Sequence, residues 1–275
     1  MPQVSELLVY PVKSCRGIGL SSAETDRRGM AGDRRWMVVD EWGRFLSLRT
    51  VPRLALVQVR VDGDRLVLEA PGSSPLELPA RAEGNLWPVS VWDSTGQARD
   101  AGAAASNWLS GHLGTGARLV QMEDDFARTT SPEYAPGFPL SFADGYPVLV
   151  IGEGSLSELN RRMRTPLPMH RFRPNVVVSG AAPFAEDRWK RIRVGQVELR
   201  LVKPCTRCVA TTVDQSTTET GPEPLRTLAT FRRWGGNVVF GQNAVVERGG
   251  RMRVGDAVEV LELGEPLSPP ADAAG

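Results

Sequence analysis

The chain has 275 residues, enough for two modest domains or one large one with a core that needs no staples. Its 33 Lys and Arg against 32 Asp and Glu leave a formal charge of +1, so the field of the whole molecule supplies no reason to expect nucleic acid or an anionic membrane as partner. Three cysteines without a second C-x-x-C cannot build a disulfide framework, and neither a targeting leader nor a run of membrane-spanning length stands in the sequence. The expectation is a cytoplasmic protein whose thiols are free or hold a ligand.

Short apolar or alternating runs with turn signals between them recur along the chain, the pattern of a mainly β protein of barrel or sandwich type. In chain order the expected strands are "LLVYPV", "RRWMVVD", "RLALVQVRVDGDRLVLEA", "ARLVQM", "YPVLVIG", "RPNVVVSG", "IRVGQVELRLV", "CVATTVD", "NVVFGQNAVVER" and "MRVGDAVEVLEL". The Asp-Gly pair in "VRVDGDRLVL" predicts a tight hairpin with positive φ at both turn positions, and "RVGQVELRLV" and "VERGGRMRVGDAVEV" repeat the device. Three stretches read as helix: 100–113 behind an Asp cap, "GSLSELNRRM" with a Ser155/Glu158 capping box, and "EPLRTLATFRR" behind a proline. The segment 123–145 mixes Pro, Gly, Ser and aromatics without periodicity and is expected to be an ordered loop beside a site. A domain change is placed near Gln121, giving domains 1–121 and 122–264, followed by a disordered Pro/Ala-rich tail, 265–275.

The stretch "VKPCTRCVATTVD", 202–214, holds Cys205 and Cys208. Structural zinc needs four ligands, and beyond this pair only Cys15, His112 and His170 exist, none in paired spacing. A disulfide-exchange motif belongs where a strand turns into a helix, whereas "CVATTVD" reads onward as strand. A pair of buried small hydrophobes is the plain alternative. Against it, Lys203 and Arg207 flank the thiols and would stabilise a thiolate, a good soft ligand for a transition metal. Three further basic strand ends stand out: Lys13 and Ser14 in "YPVKSCRG", Arg34 in "GDRRW", and Arg171, Arg173 and Asn175 in "HRFRPNVVV". Strand alternation sends Arg34 to one face and Arg35 to the other, and puts Arg171, Arg173 and Asn175 on a common face. Each is explained equally by a solvated strand end; together they would suit one large anionic ligand, since guanidinium forks match phosphate oxygens.

Taken in order, "YPVKSCRG", "GDRRWMVVD", "RFRPNVVVSG", "AEDRWKRIRVGQVEL", "KPCTRCVATTVD" and "VGDAVEV" resemble the MOSC family with its N-terminal β-barrel domain, over about Val4 to Leu263. The resemblance implies an α+β chain that is mainly β, an N-terminal β-barrel-like domain followed by a MOSC β-barrel, with a molybdenum cofactor, a phosphate-bearing pterin dithiolene, between them. It implies Cys208 as the molybdenum ligand, with Cys205 a neighbour. Lys13, Ser14, Arg34, Arg173, Asn175, Thr206 and Arg207 fall on cofactor-binding positions, and Asp144 of "FADGYPVL" on an acidic position near the metal, with a turn cap as its other reading. The implied reaction is reduction of a small N-hydroxylated or N-oxygenated compound by oxygen-atom transfer to reduced molybdenum, the cofactor carrying the chemistry. Pyridoxal phosphate binding is a further family-level expectation. No iron–sulfur domain follows the last strand and no anchor precedes the first, so a separate electron donor of ferredoxin or cytochrome b5 type, with its reductase, is expected, and no membrane or nucleic-acid partner. The competing reading is a non-catalytic carrier of the cofactor or of sulfur. A dinucleotide enzyme is disfavoured because no glycine-rich phosphate loop follows a strand.

Overall fold

A computed structural model describes residues 1–266. The expected tail, 265–275, therefore lies almost wholly outside the described residues. Among them the chain is mainly β, and the largest unit is a nine-stranded sheet. Its spatial order is Val258–Leu263, Trp189–Val194, Val197–Thr206, Asn237–Arg248, Val148–Gly152, Val176–Ser179, Gln3–Val9 and Ile18–Leu20, with Arg233–Trp234 paired to the long strand off this path. Val148–Gly152 and Val176–Ser179 run parallel, and the helix Glu153–Arg161 lies in the crossover between them, as a parallel connection requires. A four-stranded sheet holds Trp36–Val39, Arg118–Met122, Ser94–Asp100 and Leu86–Val91, and a three-stranded meander holds Gln58–Asp62, Arg65–Ala70 and Ser73–Pro79.

Two large cores follow from this, beside three smaller apolar clusters. One gathers Val12, Trp36, Leu48, Leu54, Leu66, Leu109 and Leu119 from the first half of the chain; the other gathers Val4, Leu7, Val150, Val176, Ile192, Leu199 and Val246 beneath the large sheet. The chain starts in the second core, since Gln3–Val9 pairs with Val176–Ser179. It then passes into the first core at Val12 and Cys15. The connecting residues, Tyr10 to Ser14, are thus held from both sides.

Several local expectations are corrected. The segment Val209–Thr212 is a 3₁₀ turn, not a strand: Thr211 N–H donates to the Cys208 carbonyl at 3.1 Å, and the Thr211 and Thr212 hydroxyls fold back onto the carbonyls of Cys208 and Val209, competing with a ladder. No Ser155/Glu158 capping box forms. Ser155 Oγ instead donates to buried Glu186 at 2.6 Å, and Glu158 pairs with Arg161 and Arg162. The first helix spans Ala103–Leu113 with Gly102 as its cap; Asp100 ends a strand, and its carboxylate accepts from Gly102 N–H. The third helix is only Leu225–Leu228. The "RLAL" run is a 3₁₀ turn, Pro52–Leu56. The first hairpin turns at Gly63 and Asp64, and of the Asp-Gly pair only Gly63 has positive φ, because Asp62 is already paired with Arg65. The "RVGQVEL" hairpin is present, with Val194 paired to Val197. "VERGGRMRVGDAVEV" makes none: Gly250–Arg253 pairs with Ser22–Asp26, and Val258–Leu263 with Trp189–Val194.

Candidate functional site

A cavity of about 260 Å³, just below the size usual for small-molecule sites, opens between Leu48 of the first core and a further apolar cluster that includes Leu149 and Phe172. Every site residue expected from the sequence lines it: Lys13, Ser14, Arg34, Asp144, Arg173, Asn175, Thr206, Arg207 and Cys208. They arrive from five segments far apart in sequence.

The backbone is bent to deliver three of them. Ser14, Arg34 and Arg173 have φ of 69°, 48° and 57°, the left-handed region that costs a side-chain-bearing residue roughly 1–3 kcal/mol. Such strain persists where surrounding bonds over-determine it. Arg34 N–H donates to the Tyr10 carbonyl at 2.8 Å, its own carbonyl accepts from Phe142, and Arg173 N–H closes the 3₁₀ turn onto His170. The outcome for the arginine pair is as alternation predicted, but the cause differs. The strand begins only at Trp36, and the turn at Arg34 aims its side chain into the cavity, while Arg35 lies outside it against Met122 sulfur at 3.9 Å.

Tyr10 joins the two bent arginines. Its ring, 1 % exposed, is faced by the Arg34 guanidinium at 4.4 Å and the Arg173 guanidinium at 4.1 Å, and its hydroxyl donates to the Pro174 carbonyl at 3.1 Å. Burial pushes the phenol up to about 12, so it remains a neutral donor. Arg34 also donates to Asp33 and, at 3.1 Å, to Asn175 Oδ1; burial opposes its charge, but Asp33, Tyr10 and Asp144 together outweigh burial and raise its pKa. Asn175 is largely committed to the scaffold: Oδ1 also accepts from Leu149 N–H, and Nδ2 donates to the Leu8 carbonyl. Arg173 donates to the Cys15 carbonyl at 2.7 Å, and burial pulls it down to about 10. Cys15 itself is fully buried, its thiol pushed up to about 12, and does not line the cavity.

Lys13 is 5 % exposed. Its ammonium donates to the Phe142 carbonyl at 2.8 Å and pairs with Asp144. Burial lowers its pKa, with Asp144 opposing. Burial acts to raise Asp144, but Lys13, the Trp92 indole N–H at 3.2 Å and Arg34 outweigh it and hold the carboxyl well below the usual carboxylate range. That side chain is 69 % exposed at the cavity wall, so solvent screens part of this effect. The loop presenting it is tied by Arg128, a residue the sequence reading passed over. Arg128 is 7 % exposed and donates to the carbonyls of Ser141, Ala143 and Asp144.

Of the two vicinal thiols, Cys205 is half-buried and Cys208 exposed. Arg207 Nη1 donates to Cys205 sulfur at 3.0 Å and Nη2 to the Phe172 carbonyl at 2.7 Å, while its buried Nε has no partner. Cys208 caps the 3₁₀ turn and lines the cavity. Arg171 and Lys203 also line the cavity, as does Arg49, which no motif signalled. Lys13, Arg34 and Arg171 have carboxylate partners in Asp144, Asp33 and Asp214; among the described residues none pairs with Arg49, Arg173, Lys203 or Arg207. The cavity therefore carries uncompensated positive charge beside an exposed thiol.

Two family models match the chain: the MOSC N-terminal beta barrel domain matches residues 1–116 and the MOSC domain residues 138–259. The chain belongs to the MOSC family. Among its relatives, mitochondrial amidoxime reducing component 2 of Bos taurus is 36 % identical over 93 % of this chain and 82 % of its own. The Rattus norvegicus protein of the same name is 38 % identical with the same coverage, and mitochondrial amidoxime-reducing component 1 of Homo sapiens is 35 % identical over 94 % and 82 %. MOSC membership agrees with the mainly β fold and with the motif order that suggested it.

Proposed function

We propose that this chain binds the molybdenum cofactor in this cavity and reduces N-hydroxylated compounds. The observation that carries this reading is the convergence, on one cavity, of an exposed thiol and three cations, Arg173, Lys203 and Arg207, that have no carboxylate partner among the described residues. Those residues fit the group: soft sulfur suits molybdenum, and guanidiniums suit a phosphate. Its relatives named as amidoxime reducing components support the same reaction class. When bound, the cofactor supplies two-electron removal of oxygen from an N–O bond.

The chain's own residues then divide the work. Cys208 would hold the metal. Arg34 and Arg173, aligned on Tyr10, would hold the phosphate and pterin together with Arg207, Ser14 and Thr206, and Asn175 fixes the height of Arg34. Lys13 Nζ is the better proton donor of the acid–base pair, because burial weakens its hold on the proton while Asp144 stays ionised and accepts. Asp144 keeps that ammonium at the wall. Electrons would come from a separate ferredoxin- or cytochrome b5-like donor, and the domains proposed are 1–121 and 122–264, with Gln3–Val9 of the first pairing into the large sheet of the second.

The exposed Cys208 thiol is also what a sulfur carrier would present. Turnover separates the two. Protein expressed in a host that makes the cofactor, given a chemically reduced viologen and a small aromatic amidoxime, should form the amidine. A protein loaded with molybdenum that forms none under these conditions would be a carrier.

A further inference from the structure

Beyond Cys208 the wall of the cleft has a second side. The 3₁₀ turn Val209–Thr212 divides two cavities: Cys208, Ala210 and Thr211 line the one already described, whereas Val209 and Thr212 line another of about 430 Å³. Leu48 and Arg49 line both, so the cavities meet there. The second is walled by Leu48, Val209 and Val213, with Thr212 and Thr220 as its polar residues and Arg49 as its cation.

Arg49 is built to offer its charge. Among the described residues no carboxylate pairs with it, and its one side-chain bond is a 3.5 Å contact from Nε to Ser47 Oγ. Its guanidinium lies on the Trp92 ring at 4.3 Å and faces Phe45 at 5.9 Å, which fixes its plane without neutralising it. Trp92 is itself held, with φ of 53° and its indole N–H on Asp144. The arrangement runs from the acid at the cleft wall through a stacked indole to a free guanidinium at the mouth of the second cavity. An apolar pocket with one planar cation suits an aromatic or aliphatic body bearing an acidic group.

Resting on the reductase reading above, we propose that the second cavity is the substrate pocket and that Arg49 selects N-hydroxylated compounds carrying a carboxylate or similar anion. The test compares an amidoxime with its para-carboxylated counterpart on molybdenum-loaded protein. A charge-assisted contact of this kind is worth about ten- to a hundredfold. The ratio of kcat/KM for the acidic over the neutral substrate should fall by that much in Arg49→Ala, and Arg49→Lys should keep part of it. Arg44→Ala, removing an exposed cation on the neighbouring segment, should leave the ratio unchanged. Binding of the two corresponding amidines by calorimetry reads the same preference without turnover, so a failure of the reductase reading leaves this inference still decided. An unchanged ratio and unchanged amidine binding in Arg49→Ala would overturn it. A parallel loss of molybdenum and pterin from Arg49→Ala would also overturn it, by assigning Arg49 to the cofactor.

Discussion

Replacing Tyr10 with leucine removes the ring that two guanidiniums face at 4.4 and 4.1 Å. Each such contact in a desolvated setting contributes about 1–2 kcal/mol. The hydroxyl's bond to the Pro174 carbonyl, inside the protein, adds about 1 kcal/mol. Tyr10→Phe isolates that last contribution and keeps both arginines stacked. Tyr10→Leu should cost about 3–5 kcal/mol in urea unfolding, because it also loses the stacking and leaves part of the ring's volume empty. Functionally the two variants should part company. Tyr10→Phe should purify with molybdenum and pterin near wild-type content, whereas Tyr10→Leu, its two arginines no longer held on one ring, should hold at most a tenth. Equal cofactor content in both, with Tyr10→Leu still folded, would refute the claim that this ring aligns the phosphate-binding arginines.

Gly17→Ala attacks the same ring from outside, since a Cβ there would lie 2.5 Å from Tyr10 Cε1; it should lower cofactor content in the direction of Tyr10→Leu. Arg128→Met strips the donor from three carbonyls of the Asp144 loop and should cost about 2–4 kcal/mol, with amide exchange accelerated in 123–145 before the sheets; unchanged exchange there would remove Arg128 from its positioning role. Asp144, whose folded pKa is depressed, stabilises the fold above its unfolded value near about 3.9, and that contribution is lost as pH falls through the lower folded value. Thermal unfolding should therefore show Asp144→Asn less stable than wild type at neutral pH, the gap closing below about pH 4; a gap independent of pH would contradict the ion pair. Cys205→Ser should retain a substantial part of turnover, because Cys205 sulfur is engaged within the chain, accepting from Arg207 and donating to the Thr206 carbonyl at 3.8 Å, whereas Cys208 is the exposed thiol.

The strands were legible because their alternation and β-branched runs report burial locally, as at "RLVLEA" and "VVVS". The site residues were legible as basic strand ends, and their gathering in one cavity rested on the family pattern. What escaped depends on contacts across long separations. Tyr10 looks like an ordinary strand aromatic until residues 34 and 173 are laid on it, and Arg128 is one arginine in an aperiodic loop. Arg49 acquires meaning only through Trp92, which lies 43 positions further on. The turn at Val209–Thr212 was misread for a different reason. Its threonines favour strands by propensity, yet here their hydroxyls satisfy the backbone locally, and the resulting turn makes the partition between two cavities.

The most direct test of the account is molybdenum and pterin content, by elemental analysis and oxidised-pterin fluorescence, in wild type and Cys208→Ser expressed in a host that makes the cofactor. The account predicts near one molybdenum and one pterin per wild-type chain, and loss of molybdenum-dependent turnover in the variant. Folded wild-type protein carrying zinc and no pterin would contradict it.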